Sequence, residues 1–271
     1  MKSKAILNLM AAVLLIWAGA AHGDDVTARM ARELVRKHGN AVVTVSAVTK
    51  TKMSVLGQSQ DQEQKVETVG TVIDPSGLTV IAYSSIDSSA VMAAMMKPMQ
   101  NDQMKMDFKT EVSGVKLRLA DGTEVPAKLK LKDPDLDLAF VVPDDASEEG
   151  KKLAGKYASI SLDGGAATVE QAENVITLGR LGAAMDRQVS VSMERVVAVV
   201  SKPRLLFVVS MTEAGAPAFT ADGKLLGITA MRIDTAALTS GGITASMKML
   251  QSMFVVLPAK DVAEVAKQVA K

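Results

Sequence analysis

The sequence predicts an all-β fold built in two similar halves. Short β-branched runs recur along the chain, from Ala41–Val48 to Phe254–Leu257. Each half sets an Asp-Gly hairpin signal between two such runs, Asp121-Gly122 in the first and Asp222-Gly223 in the second. A polar, Gly-broken stretch from Asp144 to Lys156 separates the halves.

The chain opens on a targeting pattern rather than a folded element. Lys2 and Lys4 form a positive start, Ile6 to Trp17 an apolar run, and Ala18-Gly19-Ala20-Ala21-His22-Gly23 a small-residue end. This predicts a signal peptide over 1–23, cleaved near Gly23, and export to the periplasm or the outside of a bacterium. Retention of the apolar run as a membrane anchor stays open. Asp25 is placed to cap a helix from Val26 to His38, with Ala28, Ala31, Leu34 and Val35 on one face and Gly39 at the position after its end.

Ala41–Val48 reads as the first strand, and Gly57–Lys65, Gln-rich and polar, as an exposed loop. Val66–Ile73 and Leu78–Ile81 flank the turn Asp74-Pro75-Ser76-Gly77. Ser88–Met96 reads as a helix inside an apparent insertion. Val115–Leu119 and Val125–Leu131 flank Asp121-Gly122, and Leu138–Val142 follows as an apolar strand. In the second half Asn174–Leu178, Val189–Val200, Leu205–Ser210, Ala218–Thr220, Leu225–Met231 and Phe254–Leu257 read as strands. Pro258 begins a helix with Val262, Val265 and Val269 on one side.

Composition narrows the function classes. Lys2 and Lys4 leave with the signal peptide, so 31 basic residues become 29 against 30 acidic ones. A near-neutral chain with 3% aromatic residues lacks the basic surface and the stacking rings that nucleic acid requires. No cysteine is present, which removes disulfides, a Cys–His dyad and a lipid-modified cysteine together. No cofactor or metal is expected.

Three segments carry a family likeness. The first is Glu213-Ala214-Gly215-Ala216-Pro217, followed by Asp222-Gly223 and Leu225-Leu226-Gly227-Ile228. The second is Thr71-Val72-Ile73-Asp74-Pro75-Ser76-Gly77-Leu78-Thr79-Val80-Ile81. The third is Asp133-Pro134-Asp135-Leu136-Asp137-Leu138-Ala139. In this order they resemble the nucleophile, histidine and aspartate segments of trypsin-like serine proteases of the HtrA/DegP type. The ending Val255-Val256-Leu257-Pro258 with its helix is similar to the end of the same protease domain. The resemblance covers about residues 41–271 and is weak at 88–112 and 146–170. It leaves no chain for a following PDZ domain.

The resemblance implies two six-stranded antiparallel β-barrels with short N- and C-terminal helices. They form one domain over 24–271, with a first barrel at about 40–145, a second at about 157–257 and a C-terminal helix at 258–270. It also implies a degenerate triad. The serine position holds Ala214, the histidine position Ser84 (Ser85 if the alignment slips by one), and Asp137 keeps the aspartate position. Only His22 and His38 exist in the chain, both upstream of the histidine segment. A triad needs an imidazole to take the nucleophile's proton and return it to the leaving group. Ala216 stands where the family has its second glycine, so a crowded loop and a weakened oxyanion hole are expected. A buried Asp137 must be hydrogen-bonded by Ser84, Ser85 or backbone N–H groups. A solvated turn aspartate is the other reading.

Met92, Met95, Met96, Met99, Met104 and Met106 crowd the insertion. They are core packing, an adaptable apolar surface for a partner, or thioether ligands for Cu(I). The reading is then an exported, inactive protease homologue that binds, scaffolds or regulates. Its partner is an extended peptide or a protein, such as an active HtrA-type homologue or a second copy of itself. The alternatives are an active serine endopeptidase and a methionine-rich copper protein.

Overall fold

The computed structural model describes residues 22–55, 58–96, 106–163, 168–232 and 254–269. Twelve strands among them close into two six-stranded antiparallel barrels. The first is ordered β1-β2-β3-β6-β5-β4, from β1 (Val42–Val55), β2 (Gln58–Val72), β3 (Thr79–Ala82), β4 (Met106–Arg118), β5 (Glu124–Asp133) and β6 (Leu138–Pro143). The second is ordered β10-β11-β12-β9-β8-β7, from β7 (Asn174–Arg180), β8 (Val189–Val200), β9 (Leu206–Val209), β10 (Pro217–Thr220), β11 (Leu225–Met231) and β12 (Phe254–Pro258). Among the described residues four helices flank them: α1 (His22–His38), α2 (Ser89–Met96), α3 (Glu148–Leu153) and α4 (Ala259–Ala266).

Each barrel has its own interior, and two further clusters fill the seam between them. Val43, Val45, Ile81, Leu117 and Val141 pack inside the first barrel. Val175, Phe207, Val209 and Leu226 pack inside the second. At one end of the seam Val80, Leu138 and Phe140 meet Ile228, Val255 and Leu257, and Val262 and Val265 of α4 close over them. At the other end Val42 and Val69 meet Ile176, Leu178 and Phe219 under Ala31 and Leu34 of α1. Strands at the seam are therefore buried on both faces, as in β3 and β10, where every residue is buried. They read as unbroken apolar runs instead of alternating ones. Burial of Phe140, Phe207 or Phe219 contributes about 1.5–3 kcal/mol each.

The structure corrects several expectations. Residues 58–65, expected as a loop, form the first half of β2. They pair residue for residue with β1, from Val55↔Gln58 to Val48↔Lys65. The far half of β1 also pairs with β4, from Val55↔Met106 to Val48↔Ser113, so β4 begins well before Val115. The result is a three-stranded ribbon, and residues 58–65 are exposed on both faces. Residues 58–65 bury no apolar side chain, so no alternation marks them. Cross-strand pairs such as Lys50–Asp61 at 2.9 Å hold it instead. Gly57 lies outside the described residues.

Helix α1 begins at His22, which puts Asp25 inside it and not at its cap. Gly39 does not take the left-handed conformation of a helix-ending glycine. It opens a 3-10 turn, Gly39–Ala41, that feeds β1 directly. The stretch between the halves contains α3, capped by the Ser147 hydroxyl accepting from Gly150 N at 3.0 Å.

Polar contacts also join the barrels. The Arg180 side chain, at the end of β7, donates to Val42 O at 2.8 Å, Gly39 O at 2.8 Å and Arg187 O at 3.1 Å. Arg187, in the loop before β8, grips Glu67 of β2 with two hydrogen bonds of 3.0 and 2.8 Å. This guanidinium holds the Glu67 carboxyl below its ordinary 4.5. A lowered carboxyl pKa contributes stability above the unfolded value and loses it as the pH falls through the folded one. Glu67→Gln should therefore lower the melting temperature slightly at neutral pH. The difference from wild type should fade as the pH drops below 4.5, which thermal melts across pH will read.

Candidate functional site

The site lies where loops from both barrels meet at the seam. Asp137 ends the turn between β5 and β6 and has φ 57°, a left-handed conformation that aspartate tolerates better than most residues. The turn is braced by Leu136 N donating to Asp133 Oδ1 at 3.0 Å. The side chain of Asp137 is turned inward, and the residue is 5% exposed. Its Oδ1 accepts from Ser84 N at 2.6 Å. Its Oδ2 accepts from Ser84 Oγ at 3.1 Å and from Met231 N at 2.6 Å. Burial pushes the carboxyl above its ordinary 3.8, opposed by the Met231 and Ser84 N–H groups and the Ser84 hydroxyl.

Ser84 reaches this position because β3 ends at Ala82 and the chain turns through a 3-10 segment, Tyr83–Ser85. Ser85 makes no hydrogen bond to Asp137. It lines the cleft described below, together with Ala214. Met231, at the end of β11, gave no sequence signal. Its contribution is a backbone N–H, which every residue except proline carries.

Residues 211–216 approach from the second barrel, and Gly215 is their pivot. It has φ +87°, and a Cβ there would lie 2.5 Å from Val69 O and 3.1 Å from Ala82 N. Glycine alone permits that backbone to touch β2 and β3. Thr71 Oγ1 donates to Gly215 O at 2.8 Å, and Gly215 N donates to Thr229 O at 2.8 Å. Thr229, fully buried, accepts from Ala216 N at 2.8 Å and donates to Glu213 O at 2.6 Å.

Ala216 is 1% exposed and belongs to the seam cluster with Phe219 and Ile176. Among the described residues neither Thr212 N nor Ala214 N has a protein acceptor.

Glu213 sits beside Ala214. Its Oε2 accepts from Arg180 N at 3.0 Å. Burial pushes this carboxyl above its ordinary 4.5, against the pull of the Arg180 N–H. The residue as a whole is open to solvent, yet its carboxylate end rests on Gly179, where a Cβ would stand 2.0 Å from Oε2. A cleft of about 270 Å³ opens here, lined by Glu67, Thr68 and Val69 of β2, Thr44, Ser85, Arg180, Leu181, Gly182, Glu213 and Ala214. The wall residues Thr44, Glu67, Thr68, Arg180 and Leu181 come from three separate stretches of the chain and carried no sequence signal.

The remaining candidates lie elsewhere. His38 stacks on Phe219, ring centroids 5.3 Å apart, and burial with the nearby Lys37 lowers its pKa. His22 starts α1. Met92 and Met96 are half-buried in α2, where Ser88 Oγ donates to the Met92 sulfur at 3.7 Å. Met106 begins β4, opposite Val55. Met99 and Met104, and the Met95 side chain, lie outside the described residues.

Paired six-stranded barrels whose loops converge at a common seam define a trypsin-like architecture. The family profile of the trypsin-like peptidase domain matches residues 35–228, well over half of the chain, and the protein belongs to that family. Comparison with curated proteins gives no match.

Gly215→Ala tests the close approach. The left-handed φ costs about 1–2 kcal/mol for any Cβ, and the Val69 carbonyl at 2.5 Å cannot yield as a flexible side chain would. The expected loss is more than about 2 kcal/mol in a urea titration.

Proposed function

We propose that this protein is a catalytically silent trypsin-like domain that holds an extended peptide or protein segment without cutting it. The observation that carries this is the pair of side chains at the two reacting positions. Ala214, beside the Gly215 pivot, offers a methyl group to the cleft. The side-chain group that donates to Asp137 is the Ser84 hydroxyl, where a triad has an imidazole. A methyl group cannot attack a carbonyl, and a neutral serine cannot serve as the base. His38, committed to Phe219, supplies no replacement.

Peptide binding needs none of this chemistry. Among the described residues, 58–69 of β2 pair with β1 alone, because β3 joins β2 only at Gly70–Val72. Glu67, Thr68 and Val69 thus bring an open strand edge to the cleft wall. An extended segment pairs with such an edge through backbone hydrogen bonds, while side-chain pockets set the preference. The finer assignment, an exported member of the HtrA type, rests on the signal-like start, the three motif segments and the Val-Val-Leu-Pro ending.

An active-site serine phosphonate should leave the purified protein unlabelled, and a fluorescent extended peptide should bind and be recovered uncut. Ala214→Ser alone should remain inactive. Ala214→Ser with Ser84→His should recover weak turnover at most, because Glu213 sets a negative charge beside the developing oxyanion. Stoichiometric labelling of the wild type, or robust cleavage by the single variant, would show a working nucleophile and base.

A further inference from the structure

We infer that a polar pocket between the Asp121-Gly122 hairpin of the first barrel and the loop before β8 of the second binds a small oxyanion, a phosphate or a carboxylate, through the guanidinium groups of Arg118, Arg180 and Arg187. The pocket lies behind the wall of the cleft, with which it shares Thr44 and Arg180, and its chemistry does not depend on a bound peptide.

The three arginines meet around about 220 Å³ of space, and each is half-buried. Arg180 brings a charge that no carboxylate balances. Its side chain donates to the carbonyls of Val42, Gly39 and Arg187, which satisfy N–H groups but carry no net charge. Among the described residues no acidic side chain lies within ion-pair distance of this guanidinium, and burial alone lowers its pKa. Arg118 and Arg187 are paired but keep donors to spare. Arg118 gives Nη1 to Glu124 at 3.1 Å, while its Nη2 lies beside Gly122, where an added Cβ would stand 3.8 Å away. Arg187 gives Nε and Nη2 to Glu67. Arg118 Nη2 and Arg187 Nη1 have no acceptor among the described residues. A guanidinium carries five N–H donors in a fixed fork that matches the oxygens of phosphate and carboxylate.

Two aspartates also line the pocket, Asp121 and Asp186. Both are exposed, where water and salt screen a charge most. Asp121 is turned onto its own hairpin, its Oδ1 accepting from Thr123 N at 2.9 Å. Glu124 and Glu67 offset Arg118 and Arg187, so the half-buried excess is the positive charge of Arg180. An oxyanion offsets it and accepts from the spare donors of the other two. The hairpin belongs to one barrel and residues 181–188 to the other, so a bound anion ties the barrels together and stabilises the fold by mass action.

The full chain is titrated with potassium phosphate and, separately, with potassium succinate, against potassium chloride at matched ionic strength. Thermal melts and titration calorimetry read the binding. At least one of the two anions should raise the melting temperature saturably, and the one that does so names the oxyanion. Arg118→Gln should weaken that binding about tenfold, the size of one charge-assisted contact. Lys116, 3.2 Å from Glu124, keeps an ion pair on the hairpin in that variant, and its melt in chloride checks the fold. Lys151→Gln, which removes the same charge from α3, should bind as the wild type does. Melting shifts no larger than those in chloride, for both anions, overturn the oxyanion site. So does a response of Arg118→Gln equal to that of Lys151→Gln, which would mark an effect of net charge alone. The titration contains no peptide, so either failure leaves the peptide-binding reading standing.

Discussion

The Asp137 carboxylate is the joint on which the site depends. It projects from a turn of the first barrel and is almost completely removed from water. A buried carboxylate with no partners would cost several kcal/mol. This one is satisfied from both sides of the seam, by Ser84 in the first barrel and by Met231 N in the second. The same contacts fix the 3-10 turn carrying Ser84 and Ser85 and the end of β11. The left-handed backbone of Asp137 is the local strain that this arrangement carries.

A second constraint acts on the opposite wall. Gly215 sets backbone against backbone at the seam, and threonine hydroxyls on either side, Thr71 and Thr229, tie the loop down. Ala214 is held at the cleft by glycine geometry and not by its own side chain. The backbone of this loop is therefore set by residues other than Ala214. The Ala216 methyl belongs to the same logic: it faces the seam cluster and adds apolar contact there. With Asp137 and Gly215 both satisfied, the cleft between them keeps its walls and an edge of β2 that pairs, among the described residues, with β1 alone.

Much of the second barrel was legible in the sequence. Val189–Val200 and Leu225–Met231 coincide with β8 and β11, because β-branched runs bounded by turn residues leave few alternatives. Asp121-Gly122 and Asp222-Gly223 form the expected turns, each with its glycine at positive φ. The valines of the last helix also kept their predicted face: Val262 is fully buried and Val265 is 6% exposed. The β1–β2–β4 ribbon was not legible. Its residues Gln58–Lys65 are polar on both faces, and what makes them a strand is pairing with β1, a property of the partner.

By itself, the sequence determined which chemistry is available: no cysteine, two histidines, alanine at 214 and serine at 84. Residue identity is a local property, and no folding can create an imidazole. The tertiary structure decided what those residues face. Met231 N, Arg180 N and the Gly215 backbone carry no side-chain signal. In the cleft wall Arg187 reaches 120 residues back to Glu67, and Glu213 accepts from Arg180 N. Such pairings come from closing two barrels against each other, and they exist only once the seam has formed.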